Sequence, residues 1–359
     1  AAGAASIEFA SPNLRTPYTE QLDVALEHAL TRSTTLTVSY IMSRGKQLMG
    51  LRDLNVGPLS STQAVYQILD TNLQPAGIWA TNLYLFSNRV DSRFTRVMQV
   101  ENGPVSWYDA MAVQLRTRLG KWFYGTIAYT WAHALDENQS TGGNSGSTIF
   151  FSSSFPTSYY NGDYKADKGT GQLDQRHRFV STFVTRPTFV KSSNPLVKYL
   201  INNWEWTGLL TLASRRPTFE TISSSLSTSN FPGAFTSSLN GLGGDNRVPF
   251  LQNNPLFIDP ITRFDTRLTK NIPFTERMRM TLSFEVFNLT NTVSNTGVLT
   301  SGFTAGNRGT LAAPNYVIAP CTSITSCASV LTPGVGTASA GFPDGTNARR
   351  AQVAMRFTF

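Results

Sequence analysis

The sequence predicts an all-β protein, an antiparallel up-and-down transmembrane β-barrel wall with about nine spanning strands. Three observations predict it. Large apolar residues recur at every second position in runs near ten residues long, whereas strands of soluble domains average about 5–6. The opposite face of the same runs carries full charges and must be wet. The connections alternate between short turns and long polar loops, the pattern of outer-membrane barrels, whose long loops face outward.

The expected spans lie near 17–30, 34–45, 104–119, 122–135, 176–188, 204–214, 263–272, 277–290 and 349–359. In the second, Leu36, Val38, Tyr40 and Met42 share one face. In the third, Met111, Val113, Leu115 and Leu119 oppose Gln114, Arg116 and Arg118. Phe123, Ile127, Tyr129 and Trp131 then oppose Thr126, Ala128 and Thr130, and Trp204, Trp206, Leu210 and Leu212 oppose Glu205, Thr207 and Thr211. Met278, Met280, Leu282, Phe284 and Val286 oppose Arg279, Thr281, Ser283 and Glu285. Such alternation reads as a half-buried strand. Short turns are expected at Thr31–Thr35, Leu119–Trp122 and Asn271–Glu276, all at one end, with a middling connection at Pro187–Asn203. Long loops are expected at about 44–103, 136–174, 215–261 and 292–348, one of them holding an extra strand at 93–101. Stretches such as Ser140–Ser147 and Ser223–Ser229 read as low-complexity and mobile. An even strand count puts both ends of a barrel in the periplasm. The odd count therefore predicts that residues 1–359 are the C-terminal portion of a larger barrel.

Composition narrows the function classes. Charged residues make up 14% of the chain, well below the roughly 25% of soluble domains. No apolar stretch approaches the ~20 residues of a membrane helix. The net charge of +8 comes from scattered Lys and Arg without a run, so no nucleic-acid partner is expected. His28, His133 and His177 stand on separate strands without ligand spacing. No catalytic site, metal or cofactor is expected, and the chain is not read as an enzyme.

Several segments, in order, carry a family resemblance. Ser106-Trp107-Tyr108-Asp109-Ala110-Met111, Tyr129-Thr130-Trp131 through Asp136, and Asp174-Gln175-Arg176-His177-Arg178-Phe179 resemble strand elements of Oar-like TonB-dependent receptors. So do Phe264-Asp265-Thr266-Arg267-Leu268-Thr269-Lys270 and Glu285-Val286-Phe287-Asn288-Leu289-Thr290-Asn291. Pro17–Gln21 and Tyr40–Gly45 fit as well, and His133 departs from the family's usual Lys. The resemblance implies a barrel of about 22 strands around a plug, in the bacterial outer membrane, moving a substrate with energy from TonB, with the plug and N-terminal domains of the family absent from residues 1–359. It implies outer-membrane lipid, the TonB complex, the plug domain and the barrel-assembly machinery as partners. A structural or adhesive surface protein and a simple porin are the alternatives.

Three residue sets are singled out. Arg116, Arg118, Glu205, Asp265, Arg267, Arg279, Glu285 and Arg356 are expected to face the lumen as a charged ladder, satisfying the inner wall by cross-strand pairs. Cys321 and Cys327 are expected to form a local loop disulfide, as an oxidising compartment favours. Val353, Met355, Phe357 and Phe359 share one face of the last strand and resemble the terminal signal by which barrels are recognised for insertion. Asn288-Leu289-Thr290 has the form of a glycosylation sequon but sits at a strand end.

Overall fold

A computed structural model describes residues 5–85, 89–137, 158–191, 194, 200–224, 239–242, 247–275, 277–294, 301–307, 316–321 and 348–359. The strands, in chain order, are β1 (Ala5–Ala10), β2 (Tyr18–Thr31), β3 (Thr34–Lys46), β4 (Met49–Asp53), β5 (Gln63–Leu69), β6 (Pro75–Asn82) and β7 (Phe94–Asn102). They continue with β8 (Ser106–Leu119), β9 (Phe123–Asp136), β10 (Gly169–Thr170), β11 (His177–Thr185), β12 (Trp204–Ala213), β13 (Pro217–Thr218) and β14 (Thr221–Ser224). The last are β15 (Leu256–Phe257), β16 (Ile261–Pro273), β17 (Arg279–Phe287), β18 (Ser301–Asn307), β19 (Tyr316–Pro320) and β20 (Arg350–Thr358).

Nine of these form one antiparallel wall in the order β2-β3-β8-β9-β11-β12-β16-β17-β20. They coincide with the nine expected spans. The register passes the turn end from strand to strand: Thr34 pairs with Thr117, Leu119 with Phe123, Thr185 with both Phe123 and Trp206, Trp204 with Lys270, and Pro273 with Arg279. The expected turns therefore share one end, although Glu276 lies outside the described residues. Gly120, at φ 58°, takes the left-handed position that the β8–β9 turn needs. Residues 349–359 pair with β17 and not with 17–30, so β2 and β20 are the two edges of an open sheet.

The wall has no core in the ordinary sense. Leu26 is 73% exposed and Val353 77% exposed, although both lie on the apolar face of regular strands. The buried apolar residues lie chiefly in the connections at the other end. Ala64, Tyr66, Leu83, Ile222, Leu239, Val248, Ala305, Tyr316 and Ile318 form one cluster there. A five-stranded sheet, β14-β18-β19-β5-β6, carries much of it, and a three-stranded sheet, β1-β7-β4, stands apart. The expected extra strand is thus real as β7. The described parts of the long loops are not irregular. They fold into a cap, with parallel pairings (β1–β7, β14–β18, β19–β5) that the up-and-down wall lacks. The sequence reading did not foresee this cap, because its apolar residues come from three separate loops. Ser140–Ser147 and 225–229 lie outside the described residues.

Residues 158–170 bind the cap together. Asp53 and Asn161 exchange hydrogen bonds, the backbone N–H of Asp53 donating at 2.9 Å and Asn161 Nδ2 donating back at 2.8 Å. Asn240 Nδ2 donates to Tyr159 O at 2.6 Å. Arg247 pairs with the buried Asp167 at 2.8 Å. Desolvation is the largest influence on Asp167 and raises its carboxyl pKa above the usual range, against the pull of Arg247. Tyr164 lies so close to Gly50 and Gly103 that a Cβ at Gly103 would come within 2.2 Å of its ring. Burial likewise raises the hydroxyl of Tyr66, which donates to Leu239 O at 3.0 Å.

Ile318 is fully buried in the cap cluster. Ile318→Ala should therefore remove about 2–5 kcal/mol of cap stability while leaving the wall ladder intact. Hydrogen exchange should quicken in β5, β18 and β19 and stay unchanged in β8 and β9. Equal quickening in both regions would contradict separate cores.

Candidate functional site

Directly paired residues share a face, so the ladder fixes the two sides of the wall. One face carries Leu36, Val113, Ile127, Phe183, Leu268, Phe284 and Val353, matched strand to strand through Leu36–Leu115–Ile127 and Leu268–Phe284–Val353. Along β9 this apolar alternation runs from Phe123 to Trp131. At about 3.3 Å per residue and a tilt of about 40°, it rises about 20 Å. That height suits the outward apolar band of about 25 Å on outer-membrane barrels. The upper edge is marked by Asp109, which accepts from Tyr40 Oη at 2.6 Å and from Arg44 at 2.8 Å, and by His177 Nδ1, 2.8 Å from Tyr129 Oη.

The other face carries all eight residues of the expected ladder. Arg267 pairs with Glu285 at 3.1 Å, and Gln352 donates to the same carboxylate at 2.6 Å. Glu205 pairs with Arg186, at 2.5 Å. Asp265 pairs with Arg263 on its own strand at 2.8 Å, and also accepts from the backbone N–H of Asn288. The remaining four depart from a cross-strand ladder: Arg116, Arg118, Arg279 and Arg356 have no acidic partner among the described residues. They stand where the paired neighbour is Thr or Tyr rather than a carboxylate, as Thr126 faces Arg116 and Thr281 faces Arg356.

The structure gathers part of this set into one trough of about 600 Å³. Arg186, Glu205, Arg267, Arg279 and Arg356 line it, with Thr269, Asn271 and Ser283 between them. Arg118 lies in a second hollow of about 270 Å³, which shares Arg186 with the first. Arg116, Asp265 and Glu285 stand outside both. Arg186, Arg263 and Asn271 were missed by the sequence reading. Parity could have found the first two, since Arg186 continues the even positions of β11 and Arg263 precedes Asp265 and Arg267 by the same step.

The resemblance motifs prove to be strand-end fasteners. Asn288 is 1% exposed, takes φ 50°, donates to Thr292 O and accepts from Thr290 Oγ1 and the N–H of Thr292. Buried this way, it is no glycosylation acceptor. Asp174 accepts from the N–H of Ala134 at 2.7 Å, tying the chain before β11 to the end of β9. Val353, Met355 and Phe357 pair with Phe284, Leu282 and Met280 on the apolar face, and Phe359 is 97% exposed beyond β20. Cys321, just past β19, donates its N–H to Gly302 O at 2.9 Å, whereas Cys327 lies outside the described residues.

The family model of the outer membrane beta barrel domain matches residues 1–315. The chain belongs to that family. Its location is accordingly the outer membrane, and its two faces are those of a barrel wall. Among solved structures, the outer-membrane transporter YddB of Escherichia coli is similar at 10% identity and a TM-score of 0.42, over 88% of this chain and 33% of that one. The FrpB iron transporter of Neisseria meningitidis is similar at 10% identity and 0.39, over 80% and 29%. The copper transporter OprC is similar at 8% identity and 0.35, over 79% and 27%. The chain thus spans about a third of the length of these structures. All three TM-scores fall below 0.5, so the assignment rests on the domain match. No curated protein matches the chain.

An arginine at the bilayer midplane on the lipid side of such a wall costs about 2–4 kcal/mol. Leu282→Arg should therefore lower the yield of membrane-assembled protein, while Ser283→Arg, on the opposite face, should be tolerated. Equal yields of the two variants after folding into lipid vesicles would overturn the assignment of faces.

Proposed function

We propose that this chain is part of the barrel wall of a TonB-dependent transporter of the Oar-like kind. In this reading it is the C-terminal portion of a barrel of about 22 strands, and moves an unidentified substrate across the outer membrane with energy supplied through TonB. The observation that carries the proposal is the open nine-stranded wall with a one-sided arginine trough. Backbone groups at the edges of β2 and β20 must be paired in a membrane, because hydrocarbon offers no hydrogen bonds. Further strands of the same barrel would pair them. Nine strands bent to close on themselves would enclose an interior filled by side chains, not one wide enough for a plug.

In this reading the apolar face meets lipid and the charged face meets the lumen. Arg279 and Arg356, next to each other and without carboxylates, would take an acidic segment of the plug or an anionic group of the cargo. No reacting group is assigned, and the wall acts by holding and excluding rather than by chemistry. Val353, Met355, Phe357 and Phe359 would be read by the barrel-assembly machinery, and a Cys321–Cys327 disulfide would brace the cap.

Liposome swelling in arabinose tests the transport class. The chain alone should give no sugar flux, and the protein that carries its plug should bind the periplasmic domain of TonB. Rapid swelling by the chain alone would favour the simple porin. A plugless parent that binds no TonB would favour a surface anchor.

A further inference from the structure

The connection between β11 and β12 is the one long segment at the turn end of the wall, and its described parts do not hang into the periplasm. Lys270 explains where they lie. Its register partners are Trp204 and Leu282, so it stands on the apolar face. The next pair toward the turn end, Ile272 with Met280, is also apolar, and Met280 pairs onward with Phe357. Lys270 therefore sits inside the apolar band, not below it. Yet it is 8% exposed. Its Nζ donates to Leu200 O at 2.9 Å and to Asn202 O, and lies 4.7 Å from the centre of the Trp204 ring. The segment around 200–202 must be at the same depth, folded back over the lipid side of β16.

The local polar groups are arranged for that position. Asn202 is 6% exposed; its Oδ1 accepts from the N–H groups of Phe189 and Val190, and its Nδ2 donates to Val190 O at 2.7 Å. Asn203 O accepts from the N–H of Asn271 at 3.0 Å. Irregular backbone at membrane depth is tolerated only where its polar groups are satisfied by protein, and here Lys270 and Asn202 do so. The large apolar side chains of the segment point outward, Phe189 62% exposed, Leu200 72% and Ile201 40%, with the exposed Thr188 and Lys191 beside Phe189.

We propose that the two described legs of this connection beyond Arg186, 187–191 and 200–203, form a foot that lies in the phospholipid of the inner leaflet, with Lys270 and Asn202 as its internal clamps. The partner is a phospholipid surface, and the foot continues the apolar face of the wall. The proposal rests on the reading of that face as lipid-facing.

The test is spin-label accessibility in the full chain folded into phosphatidylethanolamine–phosphatidylglycerol vesicles, with Cys321 and Cys327 replaced by Ser. Nitroxides are placed singly through Phe189→Cys, Leu200→Cys, Leu282→Cys and Asp70→Cys. The labels at 189 and 200 should collide with oxygen as often as the label at 282, and at least several-fold less often with a water-soluble nickel chelate than the label at 70. Labels at 189 and 200 that match 70 while 282 reports lipid would overturn the foot and leave the wall reading standing. A label at 282 that itself meets the nickel chelate would overturn both. Two foot positions are used so that a folding defect in one variant does not decide the result.

Discussion

The backbone ladder is the constraint on which the rest of the structure depends. A strand with hydrocarbon on one side can pair its N–H and C=O groups only with neighbouring strands. Every strand of the wall is therefore tied to a continuous register, and the register in turn fixes the side of every residue. A one-residue slip would put Arg267 among Leu268, Phe284 and Val353. Stability of this kind needs no buried core in the wall. It needs two different media, one per face.

The cap obeys the opposite rule. It stands beyond the ends of the wall strands, where water reaches every surface, and so it must bury apolar side chains against one another. The cluster around Tyr66, Ile222 and Ile318 comes from three segments far apart in the chain. Residues 158–170 join them, through Asp53–Asn161, Asn240–Tyr159 and Asp167–Arg247. One chain thus carries two folding regimes: hydrogen-bond register where it meets lipid, and packing where it meets water.

This division decides what was legible in the sequence. The wall strands were readable because a half-lipid strand leaves a period of two over eight or more residues; β17 shows it without interruption, and β8 and β9 show it over most of their length. The side of each ladder residue followed from the same parity. The cap was not readable, because Ile222, Leu239, Val248 and Ile318 come from three loops far apart in the chain and become a core only when those loops meet. Lys270 is the instructive exception in the wall. Its parity puts a cation on the apolar face, and only the fold shows the carbonyls of Leu200 and Asn202 that accept from it. Asp265 illustrates the converse: its side was right, but its partner is Arg263 two residues away and not a cross-strand group.

The charges of the polar face are not evenly mixed, and distance shows why this matters. Glu205, Asp265 and Glu285 each hold an arginine close by. Toward the turn end, Arg118, Arg279 and Arg356 have no such neighbour among the described residues. The acids Asp23 and Glu27 lie on β2, and Glu27 is two strands from Gln114 and Arg116 through Thr37. Strands are about 4.8 Å apart, so that gap is about 10 Å, beyond the ~8 Å over which salt screens charge at physiological strength. The β2 acids therefore do little to neutralise the arginines of β8, and nothing for those of β17 and β20. Arg279 and Arg356 also lie diagonally across one strand pair, a spacing within reach of long side chains, so their like charges repel. The trough keeps a positive potential that the wall itself does not discharge, and an anionic group seated between Arg279 and Arg356 would relieve the repulsion. In the transporter reading, contact with an acidic surface would be favoured by attraction to the incoming group and by relief of that repulsion.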